Sequence, residues 1–126
     1  MIERLCRNKY KLSDKSKEKV QALGFKKILT EPDLYFYKFV VDKYNNTPTV
    51  WCKFTLDIST SEIQIDVFRN DGSFFPAFYQ DAAGFDNYVE KINKRIKYKL
   101  NKFGIKKVTK RKRKKKNSNP KEMFNV

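Results

Sequence analysis

Residues Thr49–Arg69 read TVWCKFTLDISTSEIQIDVFR, and the alternation within them decides the fold. Along an extended chain Val50, Cys52, Phe54, Leu56 and Ile58 point one way while Trp51, Lys53, Thr55 and Asp57 point the other, because successive side chains of a strand leave on opposite faces. After Ser59, Thr60 and Ser61 the pattern resumes, with Ile63, Ile65 and Val67 opposing Glu62, Gln64 and Asp66. Two such runs joined by three turn-forming residues imply an antiparallel pair with one apolar and one polar face.

Working outward, residues Leu34–Val41 and Phe25–Leu29 read as two further strands. The links at 30–33 (TEPD) and 43–48 (KYNNTP) are short and rich in turn formers, so neighbouring strands should run antiparallel in a meander. Downstream, Asn70-Asp71-Gly72 is a hairpin signal. Phe74, Phe75, Phe78 and Tyr79 surround Pro76, which predicts a fifth strand confined to an edge, where the missing N–H does no harm.

Phe85, Tyr88, Val89, Ile92, Ile96, Leu100 and Phe103 then recur at three- and four-residue steps, the mark of a helix that buries one stripe and stops at Gly104. Residues 13–23 (SDKSKEKVQAL) predict a shorter amphipathic helix, capped by Ser13, carrying Val20 and Leu23 on one face and ended by Gly24. The hexamers LGFKKI (23–28) and FGIKKV (103–108) are alike, but two helix stops with a glycine in the left-handed region account for both without a duplication. A short extended segment is expected after Gly104. The fold class is α+β: an antiparallel meander of four or five strands, flanked by a short N-terminal helix and a long C-terminal helix. Residues 1–109 form one domain and residues 110–126 a basic tail.

Charge gives the clearest functional lead. The 126 residues carry a formal charge of +15, unevenly spread. Residues 1–105 hold 19 Lys and Arg against 13 Asp and Glu; residues 106–126 hold 10 against 1. Lys110, Arg111, Lys112, Arg113, Lys114, Lys115 and Lys116 are contiguous. Seven adjacent cations repel one another and bury nothing apolar, so this run is expected to stay disordered until a polyanion neutralises it. The long helix adds Lys94, Arg95, Lys99 and Lys102 opposite its apolar stripe. Helix and tail together would make a cationic surface for phosphate contacts, which position a protein on nucleic acid without reading sequence. The bland alternative for the helix is a solvated lysine face, which suits both helix propensity and the dipole.

A second candidate site lies on the polar sheet face. Phe36, Lys38, Trp51, Lys53 and Phe68 fall there if Ile63, Ile65 and Val67 face inward, and aromatics interleaved with lysines can stack bases while the cations meet phosphates. Residues 34–41 are apolar on both faces, however, so their register is ambiguous. Tyr35, Tyr37 and Phe39 would serve equally as the outward set, and the aromatics would be core if both sheet faces were covered.

Several classes are disfavoured. The chain has no histidine and only two cysteines, Cys6 and Cys52, too few for a disulfide framework or a structural zinc site and without a His to activate either thiol. Glycine-rich phosphate loops are lacking. Asp57, Glu62 and Asp66 on adjacent strands invite comparison with metal-dependent nucleases, but Gln64 stands where such enzymes usually place lysine, and all these residues occupy ordinary polar-face positions. The expectation is a non-enzymatic protein without cofactor or metal. No stretch approaches the roughly 20 apolar residues of a membrane span, so a cytoplasmic location is expected, or a nuclear one in a eukaryotic host. The leading function is nucleic-acid binding, to DNA or RNA. The alternative is a protein-binding or inhibitory module reaching an acidic groove, its small size and Lys/Asn bias being what a phage or other mobile element would also give.

Overall fold

In the computed structural model, which describes residues 3–108, the alternation that opened the sequence becomes the centre of a six-stranded antiparallel sheet. The strands are β1 (Tyr10–Leu12), β2 (Lys26–Lys27), β3 (Leu34–Tyr44), β4 (Thr47–Asp57), β5 (Glu62–Arg69) and β6 (Ile105–Lys107), with helices α1 (Asp14–Lys17), α2 (Pro76–Tyr79) and α3 (Asp86–Lys102). Sheet order is β2-β3-β4-β5-β1-β6. The meander predicted from β2 to β5 is present, and β1 and β6 extend it past β5. The basic run 110–116 lies outside the described residues.

Two long strands carry the sheet. β3 and β4 are joined through Asn45 and Asn46, with φ of 50° and 65°, the left-handed pair that a two-residue hairpin needs and that asparagine tolerates. Register then fixes every face. Tyr35, Tyr37 and Phe39 of β3 pair with Leu56, Phe54 and Cys52 of β4, and these pair onward with Ile63, Ile65 and Val67 of β5. The ambiguity of residues 34–41 is thereby settled, with Tyr35, Tyr37 and Phe39 packed against the core.

α3 lies on that same face. Val89, Ile92, Ile96 and Leu100 are buried along its stripe, and Phe103 just past its end sets a T-shaped ring contact on Tyr37, centroids 4.9 Å apart. Phe103 also approaches Phe25 at 5.8 Å and Phe54 at 6.3 Å. The architecture is therefore two layers, one sheet and one principal helix.

Four expectations are corrected. The sheet has six strands, because the three-residue β1 pairs with both β5 and β6; a strand this short leaves no periodic trace. The helix expected over 13–23 shrinks to α1, four residues without a buried side chain, since its apolar positions begin only at Val20. Ser13 does cap it, accepting a hydrogen bond from the Ser16 N–H at 3.2 Å. The strand expected over Phe25–Leu29 pairs only at Lys26 and Lys27, and Leu29 is fully turned to solvent. The fifth strand around Pro76 is instead a single bridge from Phe74 to Phe68 followed by the one-turn α2. Pro76 occupies the first turn of that helix, where its fixed φ fits and its missing N–H has no partner to lose.

Gly104 explains how α3 turns directly into β6. Its φ is +72°, and a Cβ there would lie 2.8 Å from Ser16 Oγ and 3.1 Å from Ser13 Oγ. Gly72 has a similar φ of +91° but open space around it. Replacing Gly104 with Ala is expected to cost about 1–3 kcal/mol from backbone strain plus displacement of the Ser13–Ser16 corner. Gly72→Ala should cost less. Urea unfolding of both variants checks this, and equal losses would contradict the crowding at Gly104.

Candidate nucleic-acid interface

Because α3 occupies one face, the other face of the sheet has no second layer among the described residues. The register assembles its surface in rows. Val40, Trp51 and Phe68 stand side by side on β3, β4 and β5; below them come Lys38, Lys53 and Asp66; below those, Phe36, Thr55 and Gln64. The five residues Phe36, Lys38, Trp51, Lys53 and Phe68 thus share one face, with Lys38 exposed and the other four half-buried.

Two features of this face are unusual for an ordinary polar surface. Lys38 and Lys53 are directly opposed cross-strand neighbours, a like-charge arrangement that costs a sheet some tenths of a kcal/mol, up to about 1. Lys53 also stands opposite Asp66, yet neither lysine makes an ion pair among the described residues. Asp66 is engaged elsewhere, accepting from the Tyr79 hydroxyl at 2.9 Å and the Gln64 amide at 3.2 Å. The Tyr79 hydroxyl in turn accepts from the Val67 N–H at 2.9 Å. Burial, followed by the nearby Asp66 carboxylate, raises the Tyr79 pKa well above its ordinary value, so this oxygen keeps its proton and the bond to Asp66.

The second feature is where the two ammonium groups go instead. Lys38 Nζ lies 5.0 Å from the centroid of Trp51, and Lys53 Nζ 5.6 Å from that of Phe68. Each cation rests on the ring of the neighbouring strand. Trp51 is steadied by a 3.2 Å hydrogen bond from Nε1 to Asn70 Oδ1. Phe68 stacks on Phe74, centroids 5.0 Å apart with an interplanar angle of 29°.

Phe74 is a member of this surface that the sequence reading did not assign, and it remains 57% exposed. Its signal was present in the turn. Counting back from Asn70-Asp71-Gly72, with Arg69 N–H bonded to Ser73 O at 2.8 Å, sets residue 74 opposite residue 68.

The helix cations fare differently. Arg95 Nη1 donates to Val41 O at 2.7 Å and to Asp42 Oδ1 at 2.9 Å. The carbonyl it reaches belongs to a β-bulge, since the ladder passes from Val40 opposite Trp51 to Asp42 opposite Val50 and leaves Val41 as the extra residue. Lys99 Nζ sits over Tyr37, Phe39 and Phe103 at 5.6, 5.3 and 5.8 Å, where its stem covers the aromatic cluster. Lys91 is 3.7 Å from Asp42, and Lys97 pairs with Glu3. Of the four helix residues singled out from sequence, Lys94 and Lys102 are exposed and without an ion pair among the described residues, whereas Arg95 and Lys99 hold the fold. The helix and sheet surfaces lie on opposite sides of the molecule.

Of the three acidic residues weighed for metal chemistry, Asp66 lies in the lysine row, held by Tyr79 and Gln64, and only Asp57 and Glu62 sit together, at the far end of the open face. Asp57 and Glu62 oppose each other in register. Asp57 accepts from the Ser59 hydroxyl at 2.6 Å and its backbone N–H at 3.0 Å, bonds that hold its carboxyl below the usual value. Cys52 is fully buried, and desolvation raises its thiol pKa, leaving it a packing residue.

Comparison with known proteins adds the fold alone. No family model and no curated protein matches the chain. Among solved structures, the chain is similar to the crystal structure of a DUF1831 family protein from Lactobacillus plantarum, with a TM-score of 0.53 and 12% identity over 82% of this chain and 90% of that one. The α+β architecture with an antiparallel sheet is shared over those stretches.

The Asp42 cluster is the main charged anchor between α3 and the sheet. The Tyr88 hydroxyl donates to Asp42 Oδ2 at 2.6 Å; this bond and the one from Arg95 hold the Asp42 carboxyl below its usual value. Tyr88 is itself pushed up to about 12 by burial and by the Asp42 bond. Asp42 therefore stabilises the fold fully above its unfolded pKa, about 3.9, and that contribution fades as pH falls through the lower folded value. Asp42→Asn is expected to lose roughly 1.5–3 kcal/mol at neutral pH and to show a shallower loss of stability below about pH 4 than the parent. Urea midpoints from pH 2.5 to 7 check both, and an unchanged acid limb would contradict the role given to Asp42.

Proposed function

We propose that this protein is a non-enzymatic nucleic-acid-binding protein that holds the phosphate backbone with lysines of the open sheet face and with the basic segment 110–116. The observation that supports this most is the opposed pair Lys38 and Lys53, two cations set side by side without an ion pair while nearby acids are committed to other partners. A phosphate oxygen between them would relieve their repulsion and gain charge-assisted hydrogen bonds. β6 ends at the far edge of the sheet, and the run begins within a few residues of it; at up to ~3.5 Å per residue the chain to Lys116 reaches about 28 Å from Val108. β4 lies about three strand spacings from β6, near 14 Å, so segment and face can engage one polyanion together.

This reading moves the contact surface. Lys94 and Lys102 remain available on the helix, but Arg95 and Lys99 are drawn into packing, so the helix is a minor contributor. No helix among the described residues is long and apolar enough to cross a membrane.

A second reading rests on β3. β2 pairs with it only at Tyr35 and Phe36, so from Tyr37 to Tyr44 one edge of the strand has no strand partner among the described residues. Such an edge can accept an added strand from a partner protein. Capture of a protein that survives high salt and is lost on Val40→Pro would favour this docking role over nucleic acid.

The test of the leading reading compares the full chain with one ending at Val108, the last described residue, so that β6 stays in the sheet. Binding to single- and double-stranded DNA and RNA would be followed across a salt series. Removing 109–126 is expected to lower affinity and salt slope, and Lys38→Gln with Lys53→Gln should reduce the slope further, by about 0.7–0.9 per lost phosphate contact. A full chain that binds no nucleic acid at 50 mM salt, or whose affinity ignores salt, overturns the reading.

A further inference from the structure

Building on the nucleic-acid reading, we infer that the open sheet face is a single-strand site: bases stack on Trp51 and on the Phe68–Phe74 pair while a phosphate lies between Lys38 and Lys53. The geometry that carries it is one continuous row. Trp51 and Phe68 are direct cross-strand partners, and Phe74 bridges back to Phe68 and stacks on it at 5.0 Å. With adjacent backbones about 4.8 Å apart, three aromatic rings line a strip roughly 10–15 Å long. The lysine row runs beside it, two residues down each strand, about 7 Å away.

The lysines resting on the rings mark where ligand atoms go. A base stacked on an aromatic side chain is generally a stronger contact than a single cation over a solvent-accessible ring. A base therefore displaces the ammonium from the ring, and the freed cation gains a phosphate. The unliganded face keeps its rings covered by groups that leave when a nucleotide arrives. Such stacking requires an accessible base face, which a duplex hides inside its own stack, so the ligand class is single-stranded.

Charge also sets one end of the footprint. Asp57 and Glu62 lie side by side at the opposite end of the face, four residues along each strand from the lysine row, and they repel phosphates. The chain of nucleotides is thus held to the Trp51 end, with Phe36 two residues from Lys38 available for a base on the other side of the phosphate. Two to three bases fit this surface by the strip length and the strand spacing above.

Trp51 is the sole tryptophan, so its fluorescence reports on the site in the full chain. Titration with deoxythymidine and uridine decamers is expected to quench it saturably, whereas a hairpin duplex and an abasic decamer bind through phosphate contacts with little quenching. Comparing the two decamers distinguishes DNA from RNA as the preferred strand. Phe74→Ala, which removes an exposed ring and leaves the core intact, should weaken decamer binding about five- to hundredfold and leave duplex binding unchanged. Trp51→Phe should retain most single-strand affinity and Trp51→Ala should not. If the full chain binds decamer and duplex equally, Trp51 emission does not move and Phe74→Ala has no effect, the single-strand site is wrong while phosphate binding stands. If no nucleic acid binds at all, the underlying reading fails with it.

Discussion

Phe103 wedges edge-on against Tyr37 at the end of α3, with Phe25 and Phe54 around it, and this contact seats the one long helix among the described residues on one face of the sheet. The candidate site follows from that asymmetry. A strand presents alternate side chains to its two faces, so once Tyr35, Tyr37 and Phe39 are committed to the helix side, Phe36, Lys38 and Val40 must face the other way. The register of β4 and β5 carries the same division across the sheet. One helix of 17 residues can cover one face and not two, and the second face keeps its aromatics and lysines at the surface.

The chemistry of the bare face comes from what its charges are denied. Asp66 would neutralise Lys53 across the strands, but the Tyr79 hydroxyl and Gln64 hold it. Asp42 is turned to the helix side by the bulge at Val41, where Arg95, Lys91 and Tyr88 surround it. Lys38 and Lys53 are left to rest on Trp51 and Phe68. The residues that lock the fold and those that present cations are therefore linked: Arg95, a candidate phosphate contact by its place on the helix, holds the bulge and its carboxylate instead.

Much of this was legible in the chain, and the remainder was hidden for identifiable reasons. The alternation from Val50 to Val67 and the stripe from Phe85 to Phe103 are long enough to show a period, and both elements lie where the pattern put them. β1 has three residues and draws its strandedness from β5 and β6, so no local signal marks it. Residues 34–41 are apolar on both faces, and only pairing with β4 could orient them. Phe74 is placed only by counting the hairpin after Arg69 residue by residue, and the aromatics around Pro76 suit an edge strand as well as the helical turn that Pro76 begins. For the helix cations the side of the helix was readable, but not that Arg95 and Lys99 bend back onto Val41 and the aromatic cluster.

In the proposed function the basic segment would supply non-specific attraction and the sheet face the contacts that depend on base geometry. The most direct measurement is a backbone and indole amide NMR titration of the full chain with a single-stranded decamer at physiological salt. The account predicts concerted shifts at the Trp51 indole and at residues 36, 38, 53, 68 and 74, with the buried face under α3 unmoved. Shifts confined to α3 and to residues 109–126, with the Trp51 indole still, would contradict it.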